Sequence, residues 1–177
     1  SNLYLGVYGP GAVTGYIADR GGGNYFVGHR RWILYPQSQF LGTGDIPPSP
    51  GYSAANALWV FDRDNMWGPR PLTREPYVAW PPPGYSPYQV VFPRWSFAYA
   101  GANFSAAVVT MTRNGQPLAL QQNSVLNGFG ENTLVWEPAD TFGQAPGSDV
   151  TYSVAISNVS IDGQMQNFAY QVIIFEP

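Results

Sequence analysis

Two stretches, Val150-Thr151-Tyr152-Ser153-Val154-Ala155-Ile156 and Phe168-Ala169-Tyr170-Gln171-Val172-Ile173-Ile174, decide the fold class. In the first, Tyr152, Val154 and Ile156 alternate with Thr151, Ser153 and Ala155; in the second, Phe168, Tyr170, Val172 and Ile174 keep the same period. Side chains alternate between the two faces of a strand, so a period of two is the mark of half-buried strands. Asp162-Gly163 lies between them and suits a turn that needs positive φ, which predicts a hairpin joining residues 150–160 to 166–176.

The same signals continue upstream. Asn114-Gly115 separates 106–113 from 116–121, and Trp95, Phe97 and Tyr99 alternate with Arg94, Ser96 and Ala98. About seven strands in roughly ninety residues, with turn residues about every 8–12 positions, predict an immunoglobulin-like β-sandwich over 88–177. With no cysteine in the chain, the Cys and Trp pattern of an antibody domain is absent.

Residues 63–87 carry Pro69, Pro71, Pro76, Pro81, Pro82, Pro83 and Pro87, which favours an extended, hydrogen-bond-poor connector. Its Trp67, Tyr77, Trp80 and Tyr85 argue for a packed path rather than a free tether. Before it, 1–62 reads as a smaller unit. Val13, Tyr16 and Ile17 have helical spacing and Gly21-Gly22-Gly23 ends the pattern, predicting a short helix over 11–18. Strands are expected at 29–35, 40–44 and 57–61. The fold class is mainly β, α+β overall.

Composition narrows the function classes. Charged residues are 11% of 177 and aromatics 16%, with 20 Gly and 17 Pro, describing a rigid, turn-rich, weakly charged chain. All eight cations are Arg and the net charge is −3, so there is no basic footprint for nucleic acid. No apolar run has the length of a membrane-spanning helix, and Ser1-Asn2-Leu3-Tyr4 does not open a secretory leader, so the chain reads as soluble and as mature or truncated. Zero cysteines remove disulfides and thiolate nucleophiles, and a single histidine, His29, removes multi-histidine metal cages.

The segment Gly28-His29-Arg30-Arg31-Trp32-Ile33-Leu34, followed by Leu41-Gly42-Thr43-Gly44 and preceded by 12–19 ending in Asp19, resembles the C-terminal half of a bacterial CAP-superfamily module. That secreted fold is shared by cysteine-rich secretory proteins, antigen 5 and pathogenesis-related proteins. The resemblance covers about residues 3–62. It implies one layer of an αβα sandwich, with His29 and Asp19 on two of the family's cavity positions. The half carrying the other histidine and acid is missing. No resident cofactor is expected; the resemblance implies a divalent cation at His29 only if the missing half of the cavity is supplied. The impression extends downstream, where Trp80–Tyr85 and Phe92–Phe97 look like the sandwich that follows such modules.

A single layer of this kind leaves apolar side chains such as Trp32, Leu34, Trp59 and Phe61 in need of a cover. The expected partners are the chain's own N-terminal fragment or further copies of itself. His29 and Asp19 suit a base or a ligand pair, because a carboxylate fixes an imidazole's tautomer. No nucleophile can be placed beside them, so no catalytic residue is assigned; the plain alternative is a histidine hydrogen-bonded in a polar cavity. Arg30 and Arg31, opening a strand, are expected on opposite faces, one in solvent and one paired with a carboxylate. Trp67, Trp80, Tyr85 and Tyr88 are a candidate aromatic platform for carbohydrate, while Trp95 and Trp136 are expected in cores with their indole N–H groups satisfied. Asn103-Phe104-Ser105 and Asn158-Val159-Ser160 fit the glycosylation acceptor pattern. The reading is a non-catalytic, secreted or cell-surface binding or structural protein, part of an extracellular assembly. Its alternatives are a cation-dependent effector or hydrolase centred on His29 and Asp19, and a carbohydrate-binding module.

Overall fold

Pro10 starts the first helix, where its missing N–H costs nothing and its fixed φ suits the turn. The computed structural model describes residues 1–177, which divide into two units, Ser1–Arg74 and Glu75–Pro177. In the first unit, β1 (Asn2–Leu5), β2 (Gly42–Ile46) and β3 (Ala55–Trp59) form an antiparallel sheet in the order β1-β3-β2. The helix α1 (Pro10–Ala18) buries Ala12, Tyr16, Ile17 and Ala18. Gly15 is required there, since a Cβ would collide with the Tyr4 ring. The helix ends at Asp19 in the left-handed region (φ 48°), whose N–H closes on the Gly15 carbonyl.

The second helix, α2 (Gly28–Ile33), corrects the strand expected over 29–35. The cause is tertiary. A helix start leaves its first N–H groups without acceptors, and the Asp19 carboxylate, placed by the end of α1, accepts from His29 N–H (2.9 Å) and Arg30 N–H (3.4 Å). With helical spacing, Arg30 and Arg31 are both buried instead of split between two faces, and Arg30 Nε donates to the Ile17 carbonyl at 2.6 Å.

The core of this unit is small: Ala12, Tyr16, Leu58 and Val60, with Tyr4, Val7, Trp32, Ile33 and Phe61 packed against it. Trp32 and Phe61 meet edge to face at 5.0 Å, so these two side chains are partly sealed by their own unit, contrary to the uncovered faces expected of them. The exposed apolar surface lies on the other side of the sheet. Leu3 (67% exposed), Leu5 (80%), Ile46 (61%) and Trp59 (45%) share that face with Ala55, Ala57, Gly42 and Gly44.

In the second unit, β4 (Val78–Trp80), β6 (Trp95–Ala98), β9 (Leu120–Gln122) and β10 (Thr133–Pro138) form one sheet, ordered β4-β6-β10-β9. The other sheet holds β5 (Gly84–Pro87), β7 (Val108–Arg113), β8 (Gln116–Leu118), β11 (Val150–Ile161) and β12 (Gln164–Phe175), ordered β5-β12-β11-β7-β8. One hydrophobic cluster draws on both, with Trp95, Phe97, Leu134 and Trp136 from the first and Met111, Tyr152, Val154, Ile156 and Val172 from the second. That shared core makes the unit a β-sandwich, and the fold as a whole is mainly β.

Both predicted hairpins form, on Asn114 (φ 49°)-Gly115 (φ 81°) and Asp162 (φ 50°)-Gly163 (φ 77°). In β11, Val150, Tyr152, Val154 and Ile156 point inward, until a bulge between Ile156 and Val159 shifts the register. The alternation expected of β6 does not carry over to its burial, since Trp95, Ser96 and Phe97 are all buried in a strand flanked on both sides. Part of the expected connector is sandwich: β4 and β5 are edge strands of the two sheets, and the division falls at Arg74/Glu75. Edge strands tolerate proline because one side of their ladder needs no donor, which is how Pro87 is accommodated in β5.

Candidate functional site

The turn at the end of α1 and the first turn of α2 bring Asp19 and His29 together. Asp19 Oδ1 lies 2.8 Å from His29 Nδ1, and Oδ2 accepts the His29 backbone N–H. The carboxylate is buried, with 1% of its side chain exposed, whereas the imidazole is 34% exposed. A carboxylate at Nδ1 selects the tautomer with the proton there, leaving Nε2 as the ring's free acceptor. The Tyr16 ring stacks on the imidazole at 5.6 Å and 27°.

These groups line a cavity of about 230 Å³ together with Leu3, Tyr4, Arg20 and Asn24. Behind it runs a polar chain. Tyr16 Oη donates to Asn56 Oδ1 at 2.8 Å, and Asn56 Nδ2 donates to Thr43 Oγ1 and Asp45 Oδ1, each at 2.8 Å. Hydrogen bonds from Asn56 and then from the Gly9 N–H hold the Asp45 carboxyl below the usual carboxylate range. Burial first, then Asp45 and Tyr4, raises the Tyr16 phenol, so it remains a hydrogen-bond donor at neutral pH. Sequence reasoning missed Tyr4, Tyr16 and Asn56. The helical spacing of Tyr16 marked it only as apolar core.

The lining offers no Ser, Thr or Cys to act as nucleophile beside the imidazole. Nor do the residues fit a metal. No group of three or more His, Cys, Asp or Glu is gathered in the chain, and both Asp19 oxygens are already occupied by His29 and the backbone of α2. Gly21-Gly22-Gly23 contributes a short 3-10 turn at Gly22–Asn24, in which Asn24 Nδ2 donates to the Arg20 carbonyl.

The four aromatics of the expected platform are not equivalent. Trp67 is exposed and belongs to the first unit; the other three belong to the second. Trp80 is partly buried with Nε1 donating to the Val90 carbonyl at 3.1 Å, and Tyr88 packs against the sandwich core. Only Tyr85 of the three is exposed, beside Phe175 at 5.9 Å. Both acceptor asparagines are exposed. Asn103 Oδ1 accepts from the Ser105 N–H, and Asn158 (φ 59°) sits in the bulge of β11, its N–H donating to Asn167 Oδ1. Trp136 Nε1 meets Met111 Sδ at 3.0 Å, while the Trp95 indole N–H has no partner, against expectation.

No protein-family model matches the chain, and no curated protein does. Among solved structures, the chain is similar to PcoC, a methionine-rich copper resistance protein from Escherichia coli, at 15% identity and TM-score 0.40, covering 54% of this chain and 92% of that one. The selenomethionine form of PcoC gives 16% identity, the same TM-score of 0.40, and 54% and 94% coverage. Since no family model matches and residues 28–33 are helical where the resemblance required a strand, the resemblance to the CAP superfamily does not hold. Asp19 and His29 stand on their own geometry.

Proposed function

We propose that the chain is a non-catalytic binding and structural protein, secreted or displayed at the cell surface, whose copies associate through the first unit. The observation that carries this is the outer face of the three-stranded sheet. Leu3, Leu5, Ile46 and Trp59 are exposed there, and every other residue on that face is Ala or Gly. Exposed apolar patches of this kind mark interaction surfaces.

The relief of the face suits a second copy. Leu3 lies opposite Ala57, and Leu5 opposite Ala55, so a leucine ridge on β1 runs beside an alanine trough on β3. Under two-fold symmetry the ridge of each copy meets the trough of the other, the self-complementarity an isologous contact demands. A weakly charged composition rich in Gly, Pro and aromatics suits a durable extracellular scaffold. Sedimentation velocity over a range of concentrations tests the reading: a dimer or larger species is expected, shifting to monomer in Leu5→Asp and in Ala57→Glu. A monomer throughout would overturn it.

The enzyme or cation-dependent alternative has one observation in its favour, the Asp19–His29 pair at 2.8 Å. His29→Ala tests it, because loss of calcium or zinc uptake, or of hydrolysis across a substrate panel, would move the function to that cavity.

A further inference from the structure

A second polar cluster lies at one end of the sandwich, in the second unit alone. Arg113 ends β7 and Tyr152 lies directly opposite on β11, so the two side chains share a face. Asp140 follows the end of β10. The Tyr152 ring is buried between Trp95 (5.4 Å) and Phe142 (5.8 Å), and its hydroxyl donates to Asp140 Oδ2 at 2.6 Å. Arg113 Nε lies 3.0 Å from the same Oδ2 and 3.3 Å from the Tyr152 hydroxyl. Asp140 Oδ1 accepts the Thr141 N–H at 2.8 Å. The carboxylate is thus fully engaged within the protein.

Arg113 is not. Its contacts to Tyr152 and Asp140 both run through Nε, and half of its side chain (49%) is exposed. The two Nη groups are the outer end of a fork whose orientation is fixed from behind. Arg113 borders a cavity of about 280 Å³ that is lined also by Tyr88, Thr141, Phe142, Gln144 and Pro146. No second carboxylate lines it to compete for the fork. A planar guanidinium held at Nε presents two parallel N–H bonds to a partner, the geometry that matches a carboxylate.

We infer that this cavity is a binding site for a small carboxylate ligand, clamped by Arg113 Nη1 and Nη2 with Asp140 and Tyr152 as positioning residues. Phe142, Tyr88, Thr141 and Gln144 line the same cavity and are the residues from which the remaining contacts would come. Two sources share this chemistry, the acid group of a uronic sugar and the terminal carboxylate of a peptide. The site is independent of the sheet face in the first unit.

Nuclear magnetic resonance of the whole ¹⁵N-labelled chain tests it. The probes are D-glucuronate and N-acetylphenylalanine, each run against its uncharged counterpart, glucose and N-acetylphenylalaninamide. The expected result is a saturable shift of the Arg113 Nε–Hε signal and of the Thr141–Gln144 amides with one or both acids and neither control; whichever acid binds names the source. Arg113→Lys keeps the charge but loses the fork and weakens binding about tenfold. Arg113→Gln abolishes binding, with retained spectral dispersion showing that the sandwich is intact. Non-saturable shifts with both acids, equal shifts with the neutral controls, or binding that survives in a folded Arg113→Gln chain would each overturn the inference.

Discussion

Within the second unit each sheet turns its apolar face toward the other, and Trp95, Phe97, Leu134 and Trp136 are sealed by Met111, Tyr152, Val154 and Val172. Within the first, α1 and α2 accompany a core on one side of a three-stranded sheet, and Leu3, Leu5, Ile46 and Trp59 face outward on the other. A sheet has two faces, and a unit with one sheet needs either a polar outer face or a third layer. The first unit has an apolar outer face and no third layer of its own. The sandwich is therefore closed by its own sequence, whereas the smaller unit leaves one apolar face of its sheet open.

Substitutions can break or sharpen that contrast. The largest effect is expected from Trp136→Ala, which removes a fully buried ring and should cost about 3–5 kcal/mol in the denaturant unfolding of the second unit; a loss under about 1 kcal/mol would mean that the core is not sealed. Leu58→Ala, on the covered side of the first unit, should cost about 2–3 kcal/mol, because its smaller core can relax around the gap. Asp19→Ala strips acceptors from His29 and from the start of α2, and should cost about 1–3 kcal/mol by the same measurement.

Alkaline pH acts on the sandwich by a different route. Burial, and then the hydrogen bond to Asp140, pushes the Tyr152 phenol up to about 12, and burial raises Tyr170 as well. The unfolded chain releases these protons near pH ~10, before the folded sandwich does. Their contribution is therefore complete below that pH and is lost as pH climbs toward about 12. Thermal unfolding at pH 8 and pH 11.5 should show the second unit weakened, and Tyr152→Phe should reduce the drop. The smallest effect belongs to Leu5→Thr on the open face, which should change the stability of the isolated monomer by no more than about 0.5 kcal/mol while loosening any dimer. A large loss in the monomer would show that the face is already covered.

The sandwich was legible because its code is local. Asn114-Gly115 and Asp162-Gly163 specify turns by themselves, and the alternation from Tyr152 to Ile156 needs no distant information. Residues 28–33 were not legible, because aromatic and β-branched content reads as strand, while the helix depends on a carboxylate at Asp19 that only the folded chain delivers. The Asp19–His29 pairing was reached through a resemblance that failed and survives as geometry alone. Of the expected aromatic platform, Trp80 and Tyr88 are taken up by a backbone carbonyl and by the core, which the sequence does not signal, while Trp67 and Tyr85 are exposed. The Arg113 fork gave no sequence signal, since Arg113, Asp140 and Tyr152 are far apart in the chain and meet only through strand register.

The six tryptophans divide evenly, with Trp32, Trp59 and Trp67 in the first unit and Trp80, Trp95 and Trp136 in the second. Trp95 and Trp136 are wholly shielded, whereas Trp67 stands in water. Ultraviolet emission from the molecule should therefore contain a blue component from the sandwich and a red component from the smaller unit. A collisional quencher should extinguish the red light first, giving each half of the protein its own built-in dye.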